Sequence, residues 1–170
     1  MSSIFKNRLN NLYNNIAKHD LDGLYITNLT NIRYLTGFTG SAAILIVLKE
    51  SSYFFTDGRY IQQSKEQVNN ANVTIISTSY FDSINRCNIF NEKSRIGFES
   101  DHMSYSYYDS MINQFPNIDW ISTNSIIENL AAVKDSEEIS SLQTAIDITD
   151  DVFKKIIPEI KVGVTEKYIS

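Results

Sequence analysis

The chain predicts an α/β fold built on a mixed six-stranded sheet with helices on both faces. Two apolar runs, Gly23 to Thr27 (GLYIT) and Ser41 to Leu48 (SAAILIVL), have the near-continuous hydrophobicity of strands buried on both sides. Shorter strand-like runs then alternate with helix-period segments as far as Ser122, the pattern of a sheet covered by helices. With 42% hydrophobic residues, including ten Tyr and nine Phe, the 170 residues can bury a substantial core.

Ile4, Leu9, Leu12 and Ile16, with Phe5 and Tyr13 beside them, recur at helical spacing and make Ser3 to Lys18 an amphipathic helix that ends at His19-Asp20. Gly23 to Thr27 is the first strand. Ser41 to Leu48 is the second and is expected at the centre of the sheet. The polar break Lys49-Glu50-Ser51-Ser52 leads into a third strand, Tyr53 to Thr56, paired with the second as an antiparallel hairpin. After Asp57-Gly58 the pattern is helical to about Asn70. Thr56 or Asp57 suits its cap, because either side-chain oxygen can accept a hydrogen bond from the first free amides. Val73 to Ser77 is the fourth strand, Phe81 to Phe90 a helix, and Arg95 to Phe98 the fifth strand. Tyr105 to Phe115 is a helix stopped by Pro116, and Asp119 to Ser122 is the sixth strand.

The character changes near Leu130. Asp135-Ser136-Glu137-Glu138 has the form of a capping box, and Ile139, Leu142, Ile146, Val152, Phe153 and Ile157 follow as one apolar stripe of a long helix ended by Pro158. Thr165-Glu166 then caps a fresh helix. Such a stripe needs a surface to pack on. The expected division is residues 1–129 as one domain, and residues 130–170 as a linker and the first helix of a second domain that is begun and not finished.

A net charge of -5 and a pI near 5.0, without a basic stripe, argue against a nucleic-acid surface. The longest apolar run, Ala42 to Leu48, is far too short to span a bilayer, and Met1 to Asn15 lacks the unbroken apolar core of a signal peptide. Cys87, the single cysteine, cannot form an internal disulfide. These features predict a soluble cytoplasmic protein with neither nucleic acid nor membrane as partner.

The unusual residues concentrate in Tyr34 to Ser41 and Thr56 to Tyr60. Gly37 and Gly40 invite a phosphate-binding reading, but no Lys follows the last glycine, and the residues behind it form a strand, not a helix. Asp57-Gly58-Arg59-Tyr60 has two readings. In one, Asp57 caps a helix, Gly58 fits a tight turn, Arg59 pairs with a nearby carboxylate and Tyr60 packs. In the other, Arg59 sits at the end of a strand, where its planar fork could hold a carboxylate of a ligand or partner subunit. His19 and His102 are far apart and lack a partnering motif, and Cys87 has Arg86 as its one basic neighbour. The acids Asp147, Asp150, Asp151, Glu159 and Glu166 read as the polar face of a helix. No active site is visible in the chain itself.

Several strings in register carry a resemblance: Arg8-Leu9, then Leu21-Asp22-Gly23-Leu24-Tyr25-Ile26-Thr27, then Asn31-Ile32-Arg33-Tyr34-Leu35-Thr36-Gly37-Phe38-Thr39-Gly40-Ser41-Ala42, then Phe55-Thr56-Asp57-Gly58-Arg59-Tyr60. Together they resemble the N-terminal domain of the creatinase, prolidase and Xaa-Pro aminopeptidase family of metallopeptidases, closest to the short bacterial Xaa-Pro aminopeptidases. Val133-Lys134-Asp135, Glu138-Ile139, Ala145 and Val162 to Glu166 resemble the opening of that family's catalytic domain.

The resemblance implies a ribonuclease H-like sheet topology for the first domain. It also implies, for the complete polypeptide, a pita-bread catalytic domain holding two divalent metals, manganese or cobalt, through two Asp, one His and two Glu. Two metals would activate water and polarise the carbonyl of the bond preceding proline. None of those ligands can be assigned in this chain, so it is expected to be inactive alone and to bind no metal itself. Its implied roles are to support a homodimer and to border the active site for peptides with proline at the second position. Phe38, Thr39 and Arg59, and more weakly Tyr60, are the candidates for a cleft wall, with Phe38 read first as a loop aromatic closing the core. The alternatives are a free-standing dimerisation module without catalysis, or the N-terminal domain of a family member acting on creatine or a plain dipeptide.

Overall fold

Strands β1 (Gly23–Ile26) and β2 (Ala43–Leu48) lie side by side in the middle of the sheet, buried along nearly their whole length. They are seen in a computed structural model that describes residues 2–49 and 51–169, without the side chains of residues 2 and 3. Glu50, in the expected turn, lies outside the described residues. Strand β3 (Ser52–Thr56) returns along β2 as the antiparallel hairpin, with Ile44 opposite Phe55 and Ile46 opposite Tyr53. Strands β4 (Asn72–Ile75), β5 (Arg95–Glu99) and β6 (Asp119–Thr123) complete a six-stranded sheet of order β4-β3-β2-β1-β5-β6. β2 is antiparallel to both neighbours and every other pairing is parallel. Only β2 therefore runs against the rest, and the carboxyl ends of the other strands share one edge with the loop entering β2.

Alternation along the strands separates two cores. Leu24, Ile26, Leu45, Val47 and Phe54 point to one face, where they meet helices α1 (Ser2–Lys18) and α2 (Leu29–Thr36), Val68 at the end of α3 (Ile61–Gln67), and Ile126 and Ile127 of α6 (Ile126–Ala132). Tyr25, Ile44, Ile46, Phe55, Ile96 and Phe98 point to the other, against α4 (Tyr80–Cys87) and α5 (Tyr105–Gln114). Helices thus cover both faces, as a sheet whose central strands are apolar on both sides requires. Burial falls off at the edge strands β4 and β6.

The expected elements are found, with ends shifted by one to three residues. Four features differ. The segment Leu29–Thr36 is a helix, with Asn28 as its cap accepting from the Thr30 amide at 3.0 Å. The helix after Asp57 enters through a 3-10 turn, Gly58–Tyr60, and ends at Gln67, not Asn70. The helix expected to reach Phe90 stops at Cys87, because Asn88 takes a left-handed conformation (φ 46°) that an asparagine tolerates. The further helix α6 was not expected.

The chain divides into two compact units, residues 1–131 and 132–170. The second holds α7 (Ser136–Ile156) and α8 (Glu166–Ile169). Asp135 accepts from the Glu137 and Glu138 amides while Glu138 accepts from the Asp135 amide, which completes the capping box. The stripe Ile139, Leu142, Ile146, Val152, Phe153 and Ile157 is exposed. No helix among the described residues is long and apolar enough to cross a membrane.

Asp22 ties β1 to both of its neighbours: Oδ2 accepts from the Arg95 amide at 2.9 Å and Oδ1 from Lys49 Nζ at 3.0 Å. The Arg95 amide, then Lys49, hold its carboxyl below the ordinary value of 3.8. A depressed folded value contributes stability above the unfolded pKa, lost as pH falls through the folded one. Asp22→Asn should therefore lower Tm at neutral pH and converge with wild type in strong acid. The neutral-pH gap should be below about 1 kcal/mol, since Asp22 and Lys49 are 42% and 62% exposed. Thermal melts across pH check this; a gap that does not close in acid would contradict it.

Candidate functional site

The loop from Gly37 to Ala42 is positioned from both ends. Arg8 of α1 donates from Nη1 to the Tyr34 carbonyl at 2.8 Å, satisfying one of the carbonyls a helix leaves free in its last turn, and stacks over the Tyr34 ring at 4.3 Å. Gly37 then ends α2 at φ 79°. A Cβ there would come within 2.7 Å of the Phe5 ring, so conformation and space both call for glycine. Phe38 turns inward, 1% exposed, edge-on to Phe54 at 4.9 Å and to Tyr60 at 5.4 Å between ring centroids. Gly40 passes over that ring so closely that a Cβ would lie 2.3 Å from Phe38 Cζ.

Thr39 is exposed but fastened to α3. Its amide donates to Gln67 Oε1 at 2.9 Å, and its hydroxyl accepts from Gln63 Nε2 at 2.8 Å. The Tyr60 hydroxyl oxygen accepts from the Ser41 amide at 3.1 Å and shares a hydrogen bond with the Ser41 hydroxyl, 2.7 Å between oxygens. The Ser41 hydroxyl, then its amide, hold the Tyr60 phenol below its ordinary value.

Arg59 lies on the 3-10 turn just beyond β3. Asp57 accepts from the Arg59 amide and Nε on Oδ1, both at 3.0 Å, and from Nη2 on Oδ2 at 2.8 Å. Arg59 lowers the Asp57 carboxyl, and Asp57 raises the guanidinium. The Arg59 side chain is nevertheless 68% exposed, with its guanidinium carbon 5.2 Å from the Tyr60 ring centroid. The structure thus brings Phe38, Thr39, Arg59 and Tyr60 into one patch, layered from buried ring to exposed cation.

A second cluster at the same edge went unnoticed in the sequence. Glu99, at the end of β5, accepts on Oε2 from the Thr27 and Asn28 amides, each at 2.8 Å, and on Oε1 from Asn31 Nδ2 at 2.7 Å. The buried Asn31 donates also to Glu128 Oε1 at 2.6 Å. Of these, Asn28, Glu99 and Glu128 border a cavity of about 120 Å³ that His102, Thr123 and Leu24 also line. The one available signal was Asn28, a capping residue directly before Leu29-Thr30.

The dinuclear metal centre implied by the family resemblance does not fit this donor set. Three N–H groups already occupy the Glu99 carboxylate, and no three His, Cys, Asp or Glu side chains converge among the described residues. His19, His102 and Cys87 are exposed and separate.

A mixed sheet with one reversed strand, two cores and this loop patch at the carboxyl edge defines the class of the first unit as an α/β domain. Residues 8–133 match the family model described as the Creatinase/Prolidase N-terminal domain, and the chain belongs to that family. It is 34% identical over 94% of its length to an uncharacterized peptidase, YqhT, of Bacillus subtilis, and covers 45% of that protein. Among solved structures it is similar to an Xaa-Pro dipeptidase from Bacillus anthracis (TM-score 0.83, 28% identity, covering 98% of this chain and 46% of that one). It is also similar to an X-Pro aminopeptidase from Thermotoga maritima (TM-score 0.75, 26% identity, covering 88% and 44%). The chain spans about half the length of these relatives.

Asn31→Ala should leave two carboxylates facing each other without their shared donor. The expected loss is about 1–3 kcal/mol of stability, read by urea unfolding; wild-type stability would show that the Glu99 network is not holding α2.

Proposed function

We propose that this domain serves an Xaa-Pro peptidase by supporting a homodimer and forming a wall of the active-site cleft. In this reading Arg59, Tyr60 and Thr39 face the cleft, and Phe38 supports them from beneath. The two divalent metals, manganese or cobalt, belong to the half of the polypeptide that the relatives have and this chain does not span. Residues 130–170 open that catalytic half. Peptides with proline at the second position are the substrates and the cytoplasm is the location, in keeping with a free thiol at Cys87. Dipeptides ending in proline are the second reading, because the similar structures include a dipeptidase as well as an aminopeptidase.

The observation that carries the proposal is the exposed Arg59 guanidinium at the carboxyl edge, where ligands of open α/β sheets collect. Its fork matches a carboxylate. In the complete enzyme, Arg59→Ala should raise KM by roughly 10–100-fold or weaken the dimer, as expected for losing one charge-assisted contact. Unchanged kinetics together with an unchanged oligomer mass would leave Arg59 a structural residue. The 170-residue chain alone should release no residue preceding proline when supplied with manganese. Turnover by clean protein would relocate catalysis into this chain.

A further inference from the structure

The exposed Thr39 hydroxyl meets two side-chain amides of α3. Gln63 and Gln67 lie four residues apart, on one face of the helix, and both half-buried side chains reach it. The Thr39 amide donates to Gln67 Oε1 at 2.9 Å, and because a backbone N–H can only donate, the orientation of the Gln67 amide is set. Gln63 approaches the same oxygen at 3.2 Å, and must do so with its nitrogen. Gln63 Nε2 then donates to Thr39 Oγ1 at 2.8 Å, and Gln67 Nε2 to the same atom at 3.2 Å.

Two N–H donors therefore use the two lone pairs of the Thr39 hydroxyl, and its proton remains. Among the described residues, the acceptor this proton meets is Gln67 Oε1 at 3.4 Å. That distance exceeds the roughly 2.5–3.0 Å of an ordinary O–H···O bond. The oxygen is also taken already, by the Thr39 amide and by Gln63. The hydroxyl is thus left as a donor directed away from α3. Arg59, which lies against the same Tyr60 ring that Phe38 packs on, is a donor too. Asp57 occupies its Nε and Nη2 on one edge, and Nη1 stays free.

We propose that Gln63 and Gln67 are positioning residues that hold Thr39 as an outward donor, so that the patch reads an acceptor oxygen of the bound peptide, a carbonyl or carboxylate. A peptide N–H placed there would oppose donor to donor and be rejected. The inference rests on the cleft-wall reading of this patch and adds the polarity of what that wall accepts.

The test is steady-state kinetics of the complete enzyme on a peptide with proline at the second position. Thr39→Val should raise KM by roughly 3–10-fold with kcat little changed, as expected for one hydrogen bond, and Thr39→Ser should restore the affinity. Gln67→Glu keeps an acceptor for the Thr39 amide but exchanges the Nε2 donor for a second acceptor, which turns the hydroxyl proton inward. It should raise KM as Thr39→Val does, while slow hydrogen exchange at the Thr39 amide shows the loop still fastened. Gln63→Leu frees one lone pair without adding charge and should shift KM in the same direction. Both glutamine substitutions should be silent in the Thr39→Val background, whereas repulsion of the ligand by a new charge would persist there. A Thr39→Val effect confined to the free-acid peptide assigns the carboxylate, and one shared by its C-terminal amide assigns a carbonyl. Wild-type KM in Thr39→Val or Gln67→Glu, or additive effects in the double variants, would overturn the inference. The cleft-wall reading falls separately, on unchanged kinetics and oligomer mass in Arg59→Ala.

Discussion

The carboxylate of Glu99 is the constraint on which the carboxyl edge of the sheet depends. Where β1 ends, the backbone must turn from a strand into α2, and the amides of Thr27 and Asn28 lose their strand partners. Buried amides need an acceptor, and Glu99 supplies it from the neighbouring strand. Because its other oxygen takes Asn31, and Asn31 reaches Glu128 of α6, one side chain joins β1, α2, β5 and α6. A carboxylate beside the first amides of a helix is also favourable electrostatically.

The direction of α2 follows from that junction, and the loop patch follows from α2. The helix delivers Gly37 to a point where Phe5 leaves no room for a side chain, and the chain can then only fold Phe38 down onto Phe54. With that ring fixed, Tyr60 packs edge-on against it and reaches the Ser41 hydroxyl. Arg59, one residue earlier, is left outside with Asp57 as its tether. The exposed cation is thus held by a sequence of packing steps that begins on the far side of β1.

How much could be read beforehand depended on whether the determining partners were near in sequence. β1 and β2 were legible because burial on both faces writes an unbroken apolar run. The hairpin and the Asp57 cap were legible because their partners lie within a few residues. The two-turn helix α2 was not: Thr30, Ile32 and Thr36 are β-branched and favour strands, and the acceptor that stabilises its start lies in β5, some seventy residues away. α6 was hidden for the same reason, since two turns carry too little periodicity to show. Phe38 illustrates an intermediate case. Its aromatic character was visible, but its inward direction depends on the bare backbone of Gly40 passing above it.

The single reversed strand has a practical corollary. The Gly37–Ala42 loop, the Asp57 turn and the Glu99 cluster open at one rim of the sheet, whereas the connection between β2 and β3, with Lys49 paired to Asp22, turns at the other. Strands of this length, about 15–20 Å, separate the two rims. A fluorophore, affinity tag or inserted peptide placed in that hairpin would therefore report on the domain from its back, clear of whatever assembles at the front.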